Sequence, residues 1–285
     1  KVIYYWEWGH RLVARTIGLV FVLPFAVFWW RGMLPRWFKP WGVALLALGG
    51  LQGFVGWWMV TSGLTERVDV SQYRLAVHLT LACIILGLTI WLSERLAGRR
   101  GIVGAPASVQ ISAILLPFAV LAQIALGALV AGIDAGLASD TWPLMLGSLV
   151  PDGLGVLSPA WINAFENPIA VQFNHRLFGY AVLVLALFHA AVAWRGGPNA
   201  GRRLALLLAA MVTFQALTGI AVVIHHVPPV LAGTHQVMAA LTLWVTVVQA
   251  TRLTRVRAPA AAVRSLHAGA EAGAGTLRSN AVQHH

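Results

Sequence analysis

The sequence predicts an all-α protein that crosses a membrane several times. Hydrophobic residues make up 59% of the 285 residues and charged residues only 10%, whereas soluble domains carry about 25% charged residues. The apolar segments are each roughly 20 residues long, which is the length that a helix needs to cross the hydrocarbon core of a bilayer. The 13 tryptophans agree with this interpretation, because indole rings favour the membrane–water interface.

Hydropathy predicts seven membrane-spanning helices, referred to here as the first to the seventh span. The predicted ranges are 9–30, 41–62, 73–93, 110–132, 171–194, 203–224 and 233–251. The chain after the last span is rich in Ala, Gly and Arg, and we expect a disordered tail over residues 258–285.

The segments between the spans differ in charge. Those after the first, third, fifth and seventh spans are basic, whereas those after the second and fourth spans hold acidic residues. Basic segments stay in the cytoplasm, so we expect a cytoplasmic C-terminus and four spans that begin on the periplasmic side. This topology accounts for the net charge of +11, and no nucleic-acid partner is predicted. The basic residues are Arg31, Arg36, Lys39, Arg95, Arg99, Arg100, Arg195, Arg202, Arg203, Arg252, Arg255 and Arg257.

Three spans of the first half match three spans of the second half at nearly constant offsets, which indicates a duplicated unit in parallel orientation. The fourth span has no counterpart in the first half, so two four-helix units predict one further helix before this chain. The predicted domains are an N-terminal half-bundle over 1–108, a C-terminal four-helix bundle over 109–257 and the tail. The matched positions are His10 with His175, Gln52 with Gln215, Gly56 with Gly219, and His78 with His235.

The four matched histidines all lie near the outer ends of their spans. Ionisable side chains within a bilayer are costly and usually mark function. Two histidines on two helices of a bundle can bind one haem iron from opposite sides, so the repeat predicts one haem site in each half. Zinc is the weaker alternative, because no compact set of tetrahedral ligands is present. The predicted pairs of iron ligands are His10 with His78 and His175 with His235.

The residues around the first histidine of each pair differ between the halves. Arg11 and Arg176 each follow that histidine directly and are candidates for binding a haem propionate. Glu7 lies one helical turn before His10, whereas Gln172 takes its place in the second half. A carboxylate beside a porphyrin can transfer protons, so we expect chemistry in the first half and electron transfer in the second. An interfacial ion pair between Glu7 and Arg11 is the alternative.

Three further histidines and one long loop complete the set of candidates. His189 lies about four turns beyond the fifth span's first histidine, where a structural role is favoured over a second, inner site. His225 and His226 are expected to be solvated in the last outer loop, with gating of haem access as the alternative. The Trp-containing loop between the fourth and fifth spans is expected to cover a site at the outer surface.

The sequence resembles the haem A synthase family, specifically its mitochondrial and alphaproteobacterial branch. The resemblance rests on "YYWEWGHRLVARTIG", on "TSGLTERVDVSQYRLAVHLTLA", on "GALVAGIDAG" followed by "DTWPLM", and on "NAFENPIAVQFNHRLFGY". It extends from the first residues to about position 250. Members of this family have eight helices in two four-helix bundles related by a pseudo-twofold repeat, so the resemblance implies that seven of the eight helices are present here.

The resemblance also implies an activity, namely oxidation of haem O to haem A for terminal oxidases. A porphyrin methyl group becomes a formyl group through successive hydroxylations. By this analogy haem O binds in the first half, where Glu7 is the residue most closely tied to catalysis and Arg11 contributes to binding. A permanent haem b is expected in the second half, where Arg176 contributes to binding. The implied iron ligands are the same pairs, His10 with His78 for the substrate and His175 with His235 for haem b.

The implied setting is the bacterial inner membrane, with the haem sites toward the periplasm. A haem O synthase and cytochrome oxidase assembly factors are implied partners, and a homo-oligomer is open. The main alternative function is a dihaem b-type electron-transfer cytochrome, which would use the same four histidines but gives no role to Glu7. A transporter is also built from duplicated halves, but its polar sites would lie at the midplane.

Overall fold

Seven long helices make up most of the structure, a computed structural model that describes residues 2–61, 71–99 and 101–254, with side chains at position 5 and from position 7 onward. Each long helix has the length and composition to cross a membrane, which confirms the predicted fold class. The predicted tail lies outside the described residues. The helices are α1 (Val2–Trp30), α2 (Phe38–Thr61), α3 (Gln72–Leu96), α4 (Ala107–Gly132), the short α5 (Asn163–Glu166), α6 (Pro168–Gly196), α7 (Asn199–Ile224) and α8 (Pro229–Leu253).

Each long helix begins before the span that hydropathy predicts, whereas α2 ends one residue before the predicted 62. For example, α6 starts three residues before the predicted 171 and ends two residues after the predicted 194. Hydropathy detects only the apolar part of a helix, whereas helix ends depend on capping groups. Here Pro168 occupies the first turn, where its missing N–H costs nothing, and the Asn167 side chain accepts hydrogen bonds from the backbone N–H groups of Ile169 and Ala170.

The second half forms a closed bundle in which α6 packs against α4 and α7, and α8 packs against α7 and α4. Small residues line several of these contacts, since Ala186, Ala193 and Ala205 are fully buried. Helices in a membrane associate through close packing rather than through the hydrophobic effect, so small side chains favour contact. The central core consists of Cys83, Leu116, Val120, Val182, Ala186, Leu208, Val212 and Leu243.

The first half is joined to the second through α3, which packs against α2, α4 and α8. The predicted boundary between residues 108 and 109 falls just inside α4, and the division into two half-bundles stays a prediction. An ion pair reinforces the junction. Arg252 donates from Nε to Oε2 of Glu94 at 2.9 Å and from Nη2 to Oε1 at 3.1 Å. The Glu94 side chain is only 10% exposed, so this bidentate contact lies largely within the protein.

The loop between α4 and α6 is folded against the helix ends rather than extended into solvent. Asn163 bonds both backbone groups of Leu157, and Asn167 donates to the backbone oxygen of Gly153. The hydroxyl of Tyr73, at the start of α3, donates to Glu166 at 2.8 Å. The loop is therefore attached to both halves, at the same end of the bundle as the first residues of α3 and α6.

Candidate haem sites

The repeated histidines of α3, α6 and α8 lie near the starts of their helices. His78 and His235 are the seventh residues of α3 and α8, and His175 is the eighth of α6. A helix rises about 1.5 Å per residue, so these three residues differ by only about 1.5 Å in their distance from the helix starts. His10 of α1 lies beside His78.

The histidines of the first half face each other. The ring centres of His10 and His78 are 6.5 Å apart and their planes are inclined by 71°. An imidazole nitrogen lies about 2 Å from the metal it binds, and the ring centre about 1 Å farther away, so two rings that share one metal ion are about 6 Å apart. The observed separation therefore fits one iron between the rings.

The histidines of the second half lie on helices of the same bundle. His175 and His235 are partly buried, and their helices α6 and α8 both pack against α4 and α7. Across the described residues no group of three or more His, Cys, Asp or Glu side chains could hold a metal ion. The geometry thus favours two-histidine binding of haem iron over a zinc centre, which needs three or four protein ligands.

Three of the four histidines pack against a Gln-x-x-x-Gly motif on the neighbouring helix. In each case the glutamine amide donates a hydrogen bond to the backbone oxygen of the histidine. This contact fixes the histidine backbone relative to the adjacent helix. The three pairs are Gln52 with His78 (3.0 Å), Gln123 with His175 (3.0 Å) and Gln215 with His235 (2.8 Å).

The glycine of the motif lies one turn farther along and gives space to the imidazole ring. A β-carbon at this glycine would come within about 3 Å of Cε1 of the ring, closer than side chains normally approach. The sequence comparison paired the motifs of α2 and α7 but missed the one in α4, although the spacing of Gln and Gly is the same. The hypothetical distances are 2.9 Å for Gly56 to His78, 3.1 Å for Gly127 to His175 and 2.9 Å for Gly219 to His235.

Glu7 and Arg11 form an ion pair on α1, with 3.5 Å between Oε2 and Nη2. Both side chains are about half exposed, at 53% and 55%. The ion pair between Glu7 and Arg11, which the sequence offered as the alternative, is therefore present in the structure. The carboxylate still lies one turn from His10 and is accessible, so the ion pair and a role in proton transfer are compatible.

The corresponding Gln172 has a different environment. It is 2% exposed, and its Nε2 donates to the backbone oxygens of Gly136 at 3.1 Å and Ser139 at 2.9 Å. Arg176 donates to the backbone oxygens of Ser139 and Thr141. These two side chains hold the loop after α4 against α6, beside His175. The amide in the second half is therefore a structural donor, and a carboxylate there would face two carbonyl oxygens.

His189 has partners for both ring nitrogens. It is fully buried, with Ser112 Oγ 2.7 Å from Nδ1 and the amide nitrogen of Gln249 next to Nε2. The Ser112 hydroxyl donates its proton to the backbone oxygen of Ser108, so it accepts from Nδ1, and Nε2 accepts from Gln249. This arrangement links α4, α6 and α8 and leaves no ring nitrogen for a metal, which fits the structural role favoured from the sequence.

The loop after α4 and the loop between α7 and α8 contact each other through an exposed pair. His226 Nε2 lies 3.3 Å from Asp140 Oδ2, and both side chains are more than half exposed. His225 caps the end of α7, where its backbone N–H bonds the oxygen of Ala221. His226 is thus placed in a contact between loops rather than among the predicted iron ligands.

Seven helices that can cross a membrane define a polytopic α-helical membrane protein, and its two histidine pairs are candidate haem sites. The chain belongs to the COX15-CtaA family, described as cytochrome oxidase assembly protein, whose model matches residues 1–247. The family resemblance found from the sequence motifs is therefore confirmed.

The similar proteins are alphaproteobacterial and carry the name heme A synthase. The relative from Chelativorans sp. is 54% identical over 246 residues, which are 85% of this chain and 67% of the relative. The relative from Sinorhizobium medicae is 51% identical over 232 residues, or 80% of this chain and 62% of the relative. The relative from Agrobacterium fabrum is 50% identical over 246 residues, or 85% and 67%. The chain thus spans about two thirds of the length of these relatives.

Proposed function

We propose that this protein is a membrane-bound oxidoreductase that converts haem O to haem A. The observation that carries the proposal is the asymmetry of two otherwise matching sites. Both have a histidine pair, but only the first has a carboxylate, Glu7, one turn from a candidate ligand. The names of the relatives support the reaction.

In the first half, His10 and His78 hold the iron of the substrate, haem O, between their rings. Arg11 lies one residue beyond His10 and binds either a propionate or the Glu7 carboxylate, because its guanidinium can bond an oxygen pair. Conversion of a methyl group to a formyl group adds an oxygen atom and removes electrons, which an external oxidant must accept, and Glu7 is placed to take up or give a proton during this step.

In the second half, His175 and His235 hold a permanent haem b, and a bound haem b supplies one-electron transfer. Three features of the protein fit this group. Glutamines of neighbouring helices hold the histidine backbones, the glycines leave room for the imidazoles, and a folded loop lies beside His175. Arg176 keeps that loop in place and is a candidate for a propionate contact.

We infer that the C-terminus is cytoplasmic and that both haem sites face the periplasmic side of the bacterial inner membrane. The support is the basic character of the helix ends opposite the histidines, where Lys39 lies over the Trp29 ring and Arg202 over the Trp194 ring, each at 5.0 Å. Such pairs are typical of a membrane interface. A haem O synthase and cytochrome oxidase assembly factors are the proposed partners, and the family description agrees with the latter.

The test is to express the full-length protein in a host that makes haem O but not haem A, then extract the haems and separate them by reverse-phase chromatography. We expect haem A with the wild type and a large decrease with Glu7→Gln and with His10→Ala. His226→Ala is the matched control, because it removes an exposed imidazole outside the site. If haem b is bound but haem O is never modified, the dihaem electron-transfer function replaces this proposal.

A further inference from the structure

The hydroxyl group of Thr218 has two hydrogen-bond partners in the second-half site. Thr218 Oγ1 donates to the backbone oxygen of Gln215 at 3.0 Å and lies 3.1 Å from Nδ1 of His235. A hydroxyl has one proton, and a carbonyl oxygen can only accept. We assign this proton to the bond to Gln215, which makes Nδ1 of His235 the donor of the second bond.

This assignment determines the tautomer of His235. When Nδ1 carries the proton, Nε2 has a free lone pair, which is the form that binds a metal. In the part of the chain that the structure describes, no protein hydrogen bond reaches Nε2 of His235, in contrast to Nε2 of His189, which accepts from Gln249. The buried Thr218 thus presents Nε2 of His235 for coordination before any haem is bound.

The other Gln-x-x-x-Gly motifs have no hydroxyl at the position of Thr218. The equivalent residue is Val55 in α2 and Leu126 in α4. For His78, the counterpart of His235 in the first half, the side-chain atom near the ring nitrogens is Nε2 of Gln52, at 3.2 Å and 3.3 Å. An amide nitrogen is a donor and cannot accept the proton of a ring nitrogen. The two equivalent histidines therefore differ. Nδ1 of His235 has an acceptor in the Thr218 hydroxyl, whereas the ring nitrogens of His78 have only the amide donor of Gln52 beside them.

We propose that Thr218 is a positioning residue that orients His235 and makes the second-half site the one that retains its haem. The inference rests on the proposed function, in which one haem stays bound and the other is exchanged. Hydrogen bonds from the second nitrogen of a metal-binding histidine fix its orientation and raise its basicity, and their loss typically lowers metal affinity by about 10- to 100-fold. Val55 at the equivalent position leaves His78 without this support, which suits a site that must release its product.

The test is made on the full-length protein purified with its haem b. Thr218→Val keeps the shape of the side chain and reproduces the residue of the first half. We expect haem loss to excess apomyoglobin to become about 10-fold faster or more, and the midpoint potential of haem b to rise because the ligand donates less electron density to the ferric iron. Thr218→Ser keeps the hydroxyl and should restore both properties.

Thr246→Val is the matched control. Thr246 is a fully buried threonine of α8 whose hydroxyl donates to the backbone oxygen three residues earlier, as Thr218 does. Among the residues that the structure describes, no hydrogen bond joins this hydroxyl to a candidate ligand. Wild-type haem loss and potential in Thr218→Val would overturn the inference, as would equal changes in Thr246→Val.

His235→Ala distinguishes an error in the proposed haem site from an error in the role of Thr218. If this variant loses haem b while Thr218→Val behaves as the wild type, the site is correct and the role of Thr218 is wrong. If His235→Ala retains haem b in full, the proposed haem site itself is wrong.

Discussion

Gly219 faces the imidazole of His235 so closely that a β-carbon at that position would lie 2.9 Å from Cε1 of the ring. Gly56 has the same relationship to His78, also at 2.9 Å. Because the contact is with the end of a side chain, an added methyl group would turn the ring rather than separate the helices. The ring orientation that a haem site needs therefore depends on a residue in the neighbouring helix.

Gly219→Ala should remove most of the haem b. The methyl group displaces the His235 ring at a cost of about 1–3 kcal/mol, and a displaced ring cannot keep its nitrogen on the iron. The measurement is haem b per polypeptide in the purified protein. Gly50→Ala in α2 is the control, because a β-carbon there meets open space and alanine favours a helix. Full haem content in Gly219→Ala would contradict the steric account.

Gly56→Ala should act on the other site. Its methyl group meets the His78 ring, so we expect haem A formation to fall at least 10-fold while haem b per polypeptide stays near the wild-type value. Both quantities come from the same extracted-haem chromatogram. Should Gly56→Ala instead lower haem b and spare haem A, the assignment of substrate and permanent haem to the two halves would have to be exchanged.

The main elements of the fold were predictable because each depends on local sequence. A membrane helix needs about 20 apolar residues, and the seven spans show this length directly. The candidate ligand pairs followed from the repeat, because equivalent positions in duplicated units occupy equivalent places. The Gln-x-x-x-Gly motif of α4 was missed because α4 has no counterpart among the first three spans, so no offset pointed to Gln123.

The different roles of Glu7 and Gln172 were only partly predictable. The sequence shows that the two residues are equivalent, but not that Gln172 is buried against the carbonyl groups of Gly136 and Ser139. That contact depends on the folding of a long loop, which hydropathy and periodicity do not describe. The hydrogen bond between Thr218 and His235 has the same origin, since it joins two helices across a tertiary contact.

Glu94→Gln should destabilise the junction between the halves. The change leaves the Arg252 guanidinium, whose side chain is 24% exposed, without its charged partner, and breaking a buried ion pair costs about 3 kcal/mol. We expect a lower midpoint temperature for the detergent-solubilised protein. Arg99→Gln is the control, because Arg99 lies 3.7 Å from the same carboxylate but is 60% exposed, and exposed pairs contribute about 1 kcal/mol or less. Equal effects of the two variants would exclude a special role for Arg252.

Gln172→Glu tests why the second half has an amide. Both protons of the Gln172 amide are used in bonds to backbone oxygens, and an ionised carboxylate would repel both oxygens. A protonated carboxyl group could restore only one bond. We therefore expect a loss of at least ~2 kcal/mol in stability, together with faster proteolysis in the loop between α4 and α6.

Glu7→Gln is the matched exchange in the other half. Because Glu7 is exposed, its replacement should change stability by about 0.5 kcal/mol or less, while haem A formation falls. A stable Gln172→Glu variant with a protected loop would show that the amide is not needed to hold the loop, and the asymmetry of the two sites would then lack its structural explanation.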